Sequence, residues 1–276
     1  MVGCRSMAIA YCSIGSGSTG NAWWVSGGGV ELLIDCGLSA RSLARRLAAV
    51  GLDLGRVTAV VCTHGHGDHV AGAAVLARRH GLRIYGTPDT LSMIPGDPPP
   101  EQLCPLPEEG RVAIGGLAVA TTPTLHDAPG SVALRLEDDE TALGYATDLG
   151  FATRNIVRHL RGCDGVVVEF NHDEGMLLGG PYDERLKRRI YSEVGHLSNR
   201  QGAALLEEVL ARTPGLQHVT LAHLSQENNR PEIARATAAE VLRRHRSAAR
   251  LAVAAPDVPG TPVSLHPPRQ MGLPLW

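Results

Sequence analysis

The sequence is poor in lysine: Lys187 is the only one among 26 basic residues in a chain of 276. We attribute this to composition rather than function, because alanine, glycine and proline are abundant. The formal net charge is only -2. The chain therefore has no overall positive field to attract nucleic acid, and any anionic ligand would have to be held by local groups. This weakens a nucleic-acid function without excluding it.

Long apolar runs and paired cysteines are also missing. No run approaches the length of a membrane span, and the first residues lack the apolar core of a signal peptide. We therefore expect a cytoplasmic protein without a membrane partner. The cysteines have no C-x-x-C spacing, which favours buried thiols in a reducing compartment over a disulfide framework or a cysteine zinc knuckle. They are Cys4, Cys12, Cys36, Cys62, Cys104 and Cys163.

Histidine, by contrast, is concentrated in one stretch. His64, His66, Asp68 and His69 follow an apolar run that predicts a buried strand, and a predicted helix comes next. Three imidazoles and a carboxylate are donors that zinc and manganese prefer. The intervening glycines let the backbone turn tightly enough for alternate side chains to converge. A solvated histidine-rich loop is the alternative, but clusters this dense are rare by chance, so the stretch predicts a metal site.

A glycine-rich segment near the start matches a nucleotide-binding pattern but lacks its context. Gly15 to Gly20 fits G-x-G-x-x-G, and Asp35 lies at a suitable distance downstream. The pattern requires a helix directly after it, whereas residues 21–25 and 30–34 predict strands on either side of a glycine turn. We interpret the segment as strand, glycine loop and hairpin.

The rest of the chain alternates strands and helices, which favours an α/β fold, and its length allows one large domain or two. Ser198 and Gln201 predict a capping box at one helix start. Residues 1–255 are predicted to form the main domain, and 256–276 an irregular, proline-rich C-terminal tail. Strands are predicted at 57–61, 82–85, 111–114, 117–122, 132–136, 141–145, 165–170, 216–222 and 251–254, and helices at 40–50, 70–80, 151–161, 183–191, from 198, and at 231–246.

Three further ligand candidates each follow their own apolar β run: His126, Asp148 and His223. A single polar residue at a strand end is more simply explained as capped or solvated. Three of them in a chain that already contains the histidine cluster favour a composite site, because such sites draw residues from strand ends and loops.

On these residues the chain resembles the metallo-β-lactamase-fold hydrolases. Residues 63–69 match the T-H-x-H-x-D-H motif, and the later candidates fall in the order of the later ligand motifs. The resemblance implies a four-layer αββα sandwich over about residues 8–255 and two divalent metal ions, zinc first and manganese as the alternative. Hydroxide held between two metals about 3.5 to 4 Å apart suits in-line attack on phosphorus. By the same resemblance His64, His66 and His126 hold the first metal, Asp68, His69 and His223 the second, and Asp148 bridges them.

The similarity is more extensive to the YycJ (WalJ) subfamily, which implies an exonuclease acting on DNA. Chains of that subfamily begin close to Met7, so residues 1–6 are expected to be an upstream start. Gly65 and Gly67 stand where relatives carry larger residues, which affects the rim and leaves the ligands intact. The shared segments are SGSTGN at 16–21, LIDCG at 33–37, YATDLG at 145–150, EFNHD at 169–173, GHLSN at 195–199 and HLSQENN at 223–229.

Two of these segments also resemble tRNA 3′-processing endonuclease Z. That similarity implies that Glu169 orients His196 and that His196 protonates the leaving 3′-oxygen. Together with Asp68, they are the predicted catalytic residues. The alternative is that Glu169 and His196 only cap helices.

Three functional classes stay open. The first is a phosphodiesterase on nucleic acid, with arginines such as Arg185, Arg188 and Arg189 gripping phosphates, unless they form only a solvated helix face. The second is a hydrolase of small thioesters, lactones or β-lactams. The third, a metal-binding regulator without turnover, is least favoured because the ligand set is complete. The sequence does not indicate an oligomeric state.

Overall fold

The structure is a computed structural model and describes residues 8–267. Strands and helices alternate along it, as the sequence predicts. The strands are β1 (Ala10–Gly15), β2 (Ala22–Gly27), β3 (Val30–Ile34), β4 (Ala59–Val61), β5 (Arg83–Gly86), β6 (Leu103–Pro105), β7 (Gly110–Ile114), β8 (Leu117–Pro123), β9 (Val132–Glu137), β10 (Ala142–Ala146), β11 (Gly165–Glu169), β12 (His218–Ala222), β13 (Arg250–Val253) and β14 (Val263–Ser264). The helices are α1 (Ala40–Ala49), α2 (Gly67–Val70), α3 (Ala73–His80), α4 (Pro88–Ser92), α5 (Arg154–Leu160), α6 (Glu174–Gly179), α7 (Glu184–Tyr191), α8 (Asn199–Leu210) and α9 (Pro231–Arg244).

These strands form two seven-stranded sheets. The first has the order β14-β1-β2-β3-β4-β5-β6 and the second β13-β12-β11-β10-β9-β8-β7. One apolar core lies between the sheets and includes Tyr11, Trp23 and Tyr145. Two further cores cover the outer faces, one beneath α1 and α3 and the other beneath α5, α8 and α9. The predicted αββα sandwich is confirmed.

Burial on both faces explains the uninterrupted apolar character of the central strands. In β3, Ile34 faces the core between the sheets, while its neighbour Leu33 packs on the helical side with Leu43 and Leu47 of α1. Ser39 caps α1 by accepting a hydrogen bond from Ser42 N at 3.3 Å. Helix α8 begins with the predicted Ser198–Gln201 capping box.

The histidine-rich turn is more broken than predicted. A short 3-10 turn lies at Leu54–Arg56, and the strand predicted from residue 57 begins at Ala59 instead. The helix expected over 70–80 is divided into α2 and α3. The division falls at Gly72, where a Cβ atom would lie 2.2 Å from Leu38 O. Only glycine allows this close approach of two backbones. Helix α2 begins at Gly67 and carries two of the candidate ligands, Asp68 and His69.

The described part of the segment predicted as an irregular tail, residues 256–267, is irregular apart from a two-residue strand. Its strand β14 pairs with β1, and Leu265 is buried in the core between the sheets. The prediction missed this because a two-residue edge strand has no periodicity to detect. Residues 268–276, and the expected upstream start at residues 1–6, lie outside the described residues. The domain boundary at residue 255 stays a prediction.

No helix within residues 8–267 combines the length and the apolar character needed to cross a membrane.

Candidate metal centre

All seven predicted ligands lie at one edge, where the carboxyl ends of strands from both sheets meet. Strands β3, β4 and β5 are parallel in the first sheet, and β10 to β13 are parallel in the second. Parallel strands place the residues that follow them at the same edge. The histidine turn follows β4, His126 follows β8, and Asp148 and His223 follow β10 and β12.

Three strand ends turn through the same uncommon backbone conformation. Asp35 after β3, Asp148 after β10 and His223 after β12 have φ of 60°, 59° and 57°. This left-handed region is sparsely populated by residues other than glycine, and such strain collects at functional sites. The conformation lets each chain leave its strand while its side chain faces the edge of the sheet.

The first group of donors consists of three imidazoles. His64 Nε2 lies 3.2 Å from His66 Nδ1, and His126 Nε2 lies 3.2 Å from the same atom. Zinc with nitrogen ligands at 2.0 to 2.1 Å in tetrahedral geometry would hold them about 3.3 Å apart. The spacing therefore fits one metal ion bound by His64, His66 and His126.

The second group contains Asp68, His69 and His223. Asp68 Oδ2 lies 3.4 Å from Nε2 of both histidines. Asp148 stands between the two groups: Oδ2 lies 3.4 Å from His69 Nε2, and Oδ1 lies 3.5 Å from His223 Nε2 and 3.8 Å from His126 Nε2. This is the position required of a bridging carboxylate.

Asp148 has an unsatisfied oxygen. The residue is 2% exposed, and its Oδ2 has no hydrogen-bond partner within the described part of the chain. A buried carboxylate oxygen without a partner is costly unless a cation compensates it. The donor types, their spacing and this orphaned oxygen together fit a pair of divalent ions.

Burial and charge act in opposite directions on the pKa values here. Burial lowers the pKa of His64 well below its ordinary value, and burial is also the main cause of the lowered pKa of His126. Both rings therefore favour the neutral form, which is the form that binds metals. Burial likewise opposes the charge on His223, but the neighbouring Asp148 raises the pKa of His223 to about 10. A divalent cation would take the place of that proton.

The glycine-rich loop supports the second group. Asn21 Nδ2 lies 3.3 Å from Asp68 Oδ2 and 3.0 Å from His69 Nε2, and Ser16 Oγ accepts a hydrogen bond from His223 N at 2.9 Å. The predicted strand, loop and hairpin are confirmed. Sequence reasoning rejected the nucleotide pattern but did not find that its loop positions candidate ligands.

Asp35 is another residue that the sequence analysis did not assign to the site. It is fully buried, its Oδ2 lies 2.8 Å from His69 Nδ1, and its Oδ1 accepts from Thr63 N at 2.8 Å. Holding Nδ1 in this way directs His69 Nε2 towards the centre. The available signal was an aspartate that ends a buried strand next to the one preceding the histidine turn.

Asp127 supports the first group in the same manner. Its Oδ1 lies 3.4 Å from His66 Nε2, which leaves His66 Nδ1 free to face the other two imidazoles. Arg189 of α7 donates from Nε to Asp127 Oδ2. Arg189, which the sequence analysis offered as a phosphate-binding residue, thus also holds the carboxylate that orients His66.

Asp127→Ala is expected to weaken metal binding at the first group by about 10- to 100-fold, the usual effect of removing a residue that orients a ligand. Competition with a chelator of known affinity measures this directly. Asp127→Asn is the matched control, because its amide oxygen still accepts from His66 Nε2–H. Unchanged affinity in the alanine variant would show that Asp127 does not position His66.

The other two predicted catalytic residues lie beside Asp148 and contact each other. His196 Nδ1 is 2.8 Å from Glu169 Oε1, and Glu169 Oε2 accepts from Leu149 N at 2.8 Å and Leu197 N at 3.2 Å. Burial acts to raise the pKa of Glu169, but His196 lowers it to about 2. The capping residue of α8 is Ser198, and neither amide bound by Glu169 belongs to a helix. Capping therefore does not account for these side chains.

His196 faces an open cleft. Its side chain is 18% exposed, and its Nδ1 lies 3.7 Å from Asp148 Oδ1. The cleft has a volume of about 400 Å³ and is bounded by α7 and by the glycine-rich loop at Ser18. The two residues left undecided by the sequence lie elsewhere: His172 is fully buried, and Asp173 caps α6.

The comparison with known families agrees with this geometry. A family model described as "Beta-lactamase superfamily domain" matches residues 31–219, which include six of the seven candidate ligands. The chain belongs to this superfamily. As a member with a converging set of metal donors, it is a metal-dependent hydrolase.

Curated relatives extend the match over most of the chain, and the chain groups with them within the superfamily. Exodeoxyribonuclease YycJ of Bacillus anthracis is 32% identical over 239 residues, covering 86% of this chain and 90% of the relative. Exodeoxyribonuclease WalJ of Streptococcus pneumoniae is 32% identical over 241 residues, covering 84% and 87%. The metallo-β-lactamase fold protein YhfI of Bacillus subtilis superposes with a TM-score of 0.71 at 16% identity, covering 93% and 99%, which supports the fold alone.

Proposed function

We propose that this protein is a dinuclear metal-dependent exonuclease that hydrolyses phosphodiester bonds of DNA. His64, His66 and His126 bind the first ion, Asp68, His69 and His223 bind the second, and Asp148 bridges them. Zinc is the preferred ion, since nitrogen donors dominate the first group, and manganese is the alternative. When bound, the two ions activate water for attack and neutralise charge on the phosphate.

The observation that carries the proposal is the His196–Glu169 pair beside Asp148. Glu169 accepts from His196 Nδ1 and so leaves Nε2 to carry a proton towards the cleft. A phosphodiester expels an alkoxide, which is a poor leaving group unless it is protonated. A thioester expels a thiolate, which departs without such a donor, so the pair favours a phosphodiesterase over a thioesterase. The names of the YycJ and WalJ relatives support DNA as the substrate.

The remaining residues of the cleft suit an anionic substrate. Among the arginines of α7, Arg189 lines the cleft, whereas Arg185 and Arg188 are exposed outside its lining. Tyr182 and Ser225 offer hydroxyl groups to a phosphate or sugar. A cytoplasmic location stays a prediction from the sequence.

We expect turnover to favour phosphodiesters over thioesters, lactones and β-lactams. The measurement is a parallel assay of one metal-analysed preparation on end-labelled DNA, end-labelled RNA, a thioester, a lactone and a β-lactam. Treatment with a chelator should abolish activity, and zinc or manganese should restore it. A thioester rate far above the DNA rate would contradict the nuclease proposal and favour the small-molecule alternative.

A further inference from the structure

Helix α5 carries three arginines on one face. Arg154, Arg158 and Arg161 are spaced by four and three residues, so their side chains share a side of the helix and its end. All three are exposed, and none lies within ion-pair distance of a carboxylate in residues 8–267.

These arginines line a groove between α5 and the end of α8. The groove has a volume of about 640 Å³, and Ala152 and Val157 contribute its apolar part. Glu208 is the only acidic residue among those that line it, and Arg212 already neutralises Glu208. The α5–α8 groove is therefore locally positive in a chain whose formal net charge is -2.

The lining of the groove begins at Ala152, which follows the candidate ligand Asp148 closely in the chain. Helix α5 starts shortly after Asp148, and the intervening Phe151 is 50% exposed. Phe151 forms a β-bridge with Leu125, and Gly150 N donates to Leu125 O at 2.8 Å. Leu125 directly precedes His126. The backbone that leads into the groove is thus tied to two of the candidate ligands.

We propose that the α5–α8 groove binds the phosphate backbone of a DNA single strand that extends away from the metal centre. This inference rests on the proposed nuclease function and identifies a binding surface outside the cleft. The helical rise places Arg154 and Arg158 about 6 Å apart along the axis, comparable with the spacing of successive phosphates. Arginine binds phosphate through a planar set of donors, and the exposed ring of Phe151 offers a stacking surface for a base.

The test is the salt dependence of DNA binding by the double variant Arg154→Gln/Arg158→Gln. A fluorescent single-stranded oligonucleotide with cleavage-resistant phosphorothioate linkages reports binding by the metal-loaded protein. Loss of two phosphate contacts on a single strand should reduce the slope of log K against log salt by about 1.4. The dissociation constant should rise most at low salt. Single Arg161→Gln should reduce the slope by about 0.7.

The matched control is Arg41→Gln/Arg45→Gln on α1. These arginines are also four residues apart, exposed and without an ion pair in the described part of the chain, so the change in net charge is the same. The control should keep the wild-type slope, and every variant should hydrolyse bis(p-nitrophenyl) phosphate at the wild-type rate, because this small ester does not reach the groove.

Equal reductions of the salt slope in both double variants would overturn the proposed binding in the groove, because they would reflect the change in net charge alone. An unchanged slope in the α5 variants, or a lost rate on the small ester, would overturn it as well. In each of these cases DNA binding by the wild type leaves the proposed nuclease function intact. A wild-type protein that does not bind DNA at any salt concentration would contradict the nuclease function itself.

Discussion

Asp148→Ala is expected to remove at least one of two metal ions per chain and to lower the rate of DNA cleavage by roughly 10²- to 10³-fold or more, as expected when charge stabilisation at a reacting centre is lost. Asp148 contacts donors of both groups: Oδ1 lies 3.5 Å from His223 Nε2 and 3.8 Å from His126 Nε2, and Oδ2 lies 3.4 Å from His69 Nε2. Without Asp148, no carboxylate lies between the two groups to offset the repulsion between two dications. Metal content is measured by elemental analysis after dialysis.

A second variant is needed because the backbone of Asp148 has a positive φ. Asp148 has φ of 59°, a conformation that alanine adopts only with strain, so Asp148→Ala alone does not separate loss of the carboxylate from strain in the backbone. Asp148→Gly removes the carboxylate and tolerates the positive φ. If loss of the carboxylate is the cause, both variants lose metal to the same extent and keep the circular dichroism of the folded protein. Full two-metal occupancy in both would remove Asp148 from the site.

The histidine turn was predictable because its information is local. His64, His66, Asp68 and His69 lie within six positions of one strand end, so their convergence follows from a single turn. His126, Asp148 and His223 were predictable only as residues that end strands. Their meeting depends on the order and direction of the strands in the second sheet, where β10 and β12 are parallel to β11 and β8 and β10 are both antiparallel to β9. Spacing along the chain does not reveal this arrangement.

The supporting residues were less predictable. Asp35 and Asp127 act on the orientation of the His69 and His66 rings, and a sequence pattern carries no information on which ring nitrogen faces the centre. The break at Gly72 also depends on a distant partner, since it follows from the approach of the Leu38 backbone. In each case a long-range contact decided the local structure.

His196→Ala distinguishes the nuclease proposal from a general metal-dependent hydrolase. None of the seven candidate ligands is changed, so the variant should keep both metals. Its expected loss in cleavage of DNA is roughly 10²- to 10⁴-fold, the usual contribution of a positioned general acid. Steady-state rates on end-labelled DNA, with metal content measured on the same preparation, test this expectation.

The leaving group decides whether His196 donates a proton. A nitrophenol departs without protonation, so the loss caused by His196→Ala should shrink on a nitrophenyl phosphodiester, whereas the alkoxide released from DNA requires the proton. Glu169→Gln should follow the same substrate pattern with a smaller loss, because the Glu169 carboxylate acts through the His196 ring, which it orients at 2.8 Å. Metal content is measured for this variant too, since Glu169 Oε1 also lies 3.5 Å from Nδ1 of the candidate ligand His223. Equal losses on both substrates with metals retained would indicate binding or packing, and loss of metal would show that His196 is a ligand instead. A loss confined to the poor leaving group requires a proton donor in the cleft, and His196 is the imidazole of the cleft lining that is not one of the seven predicted ligands.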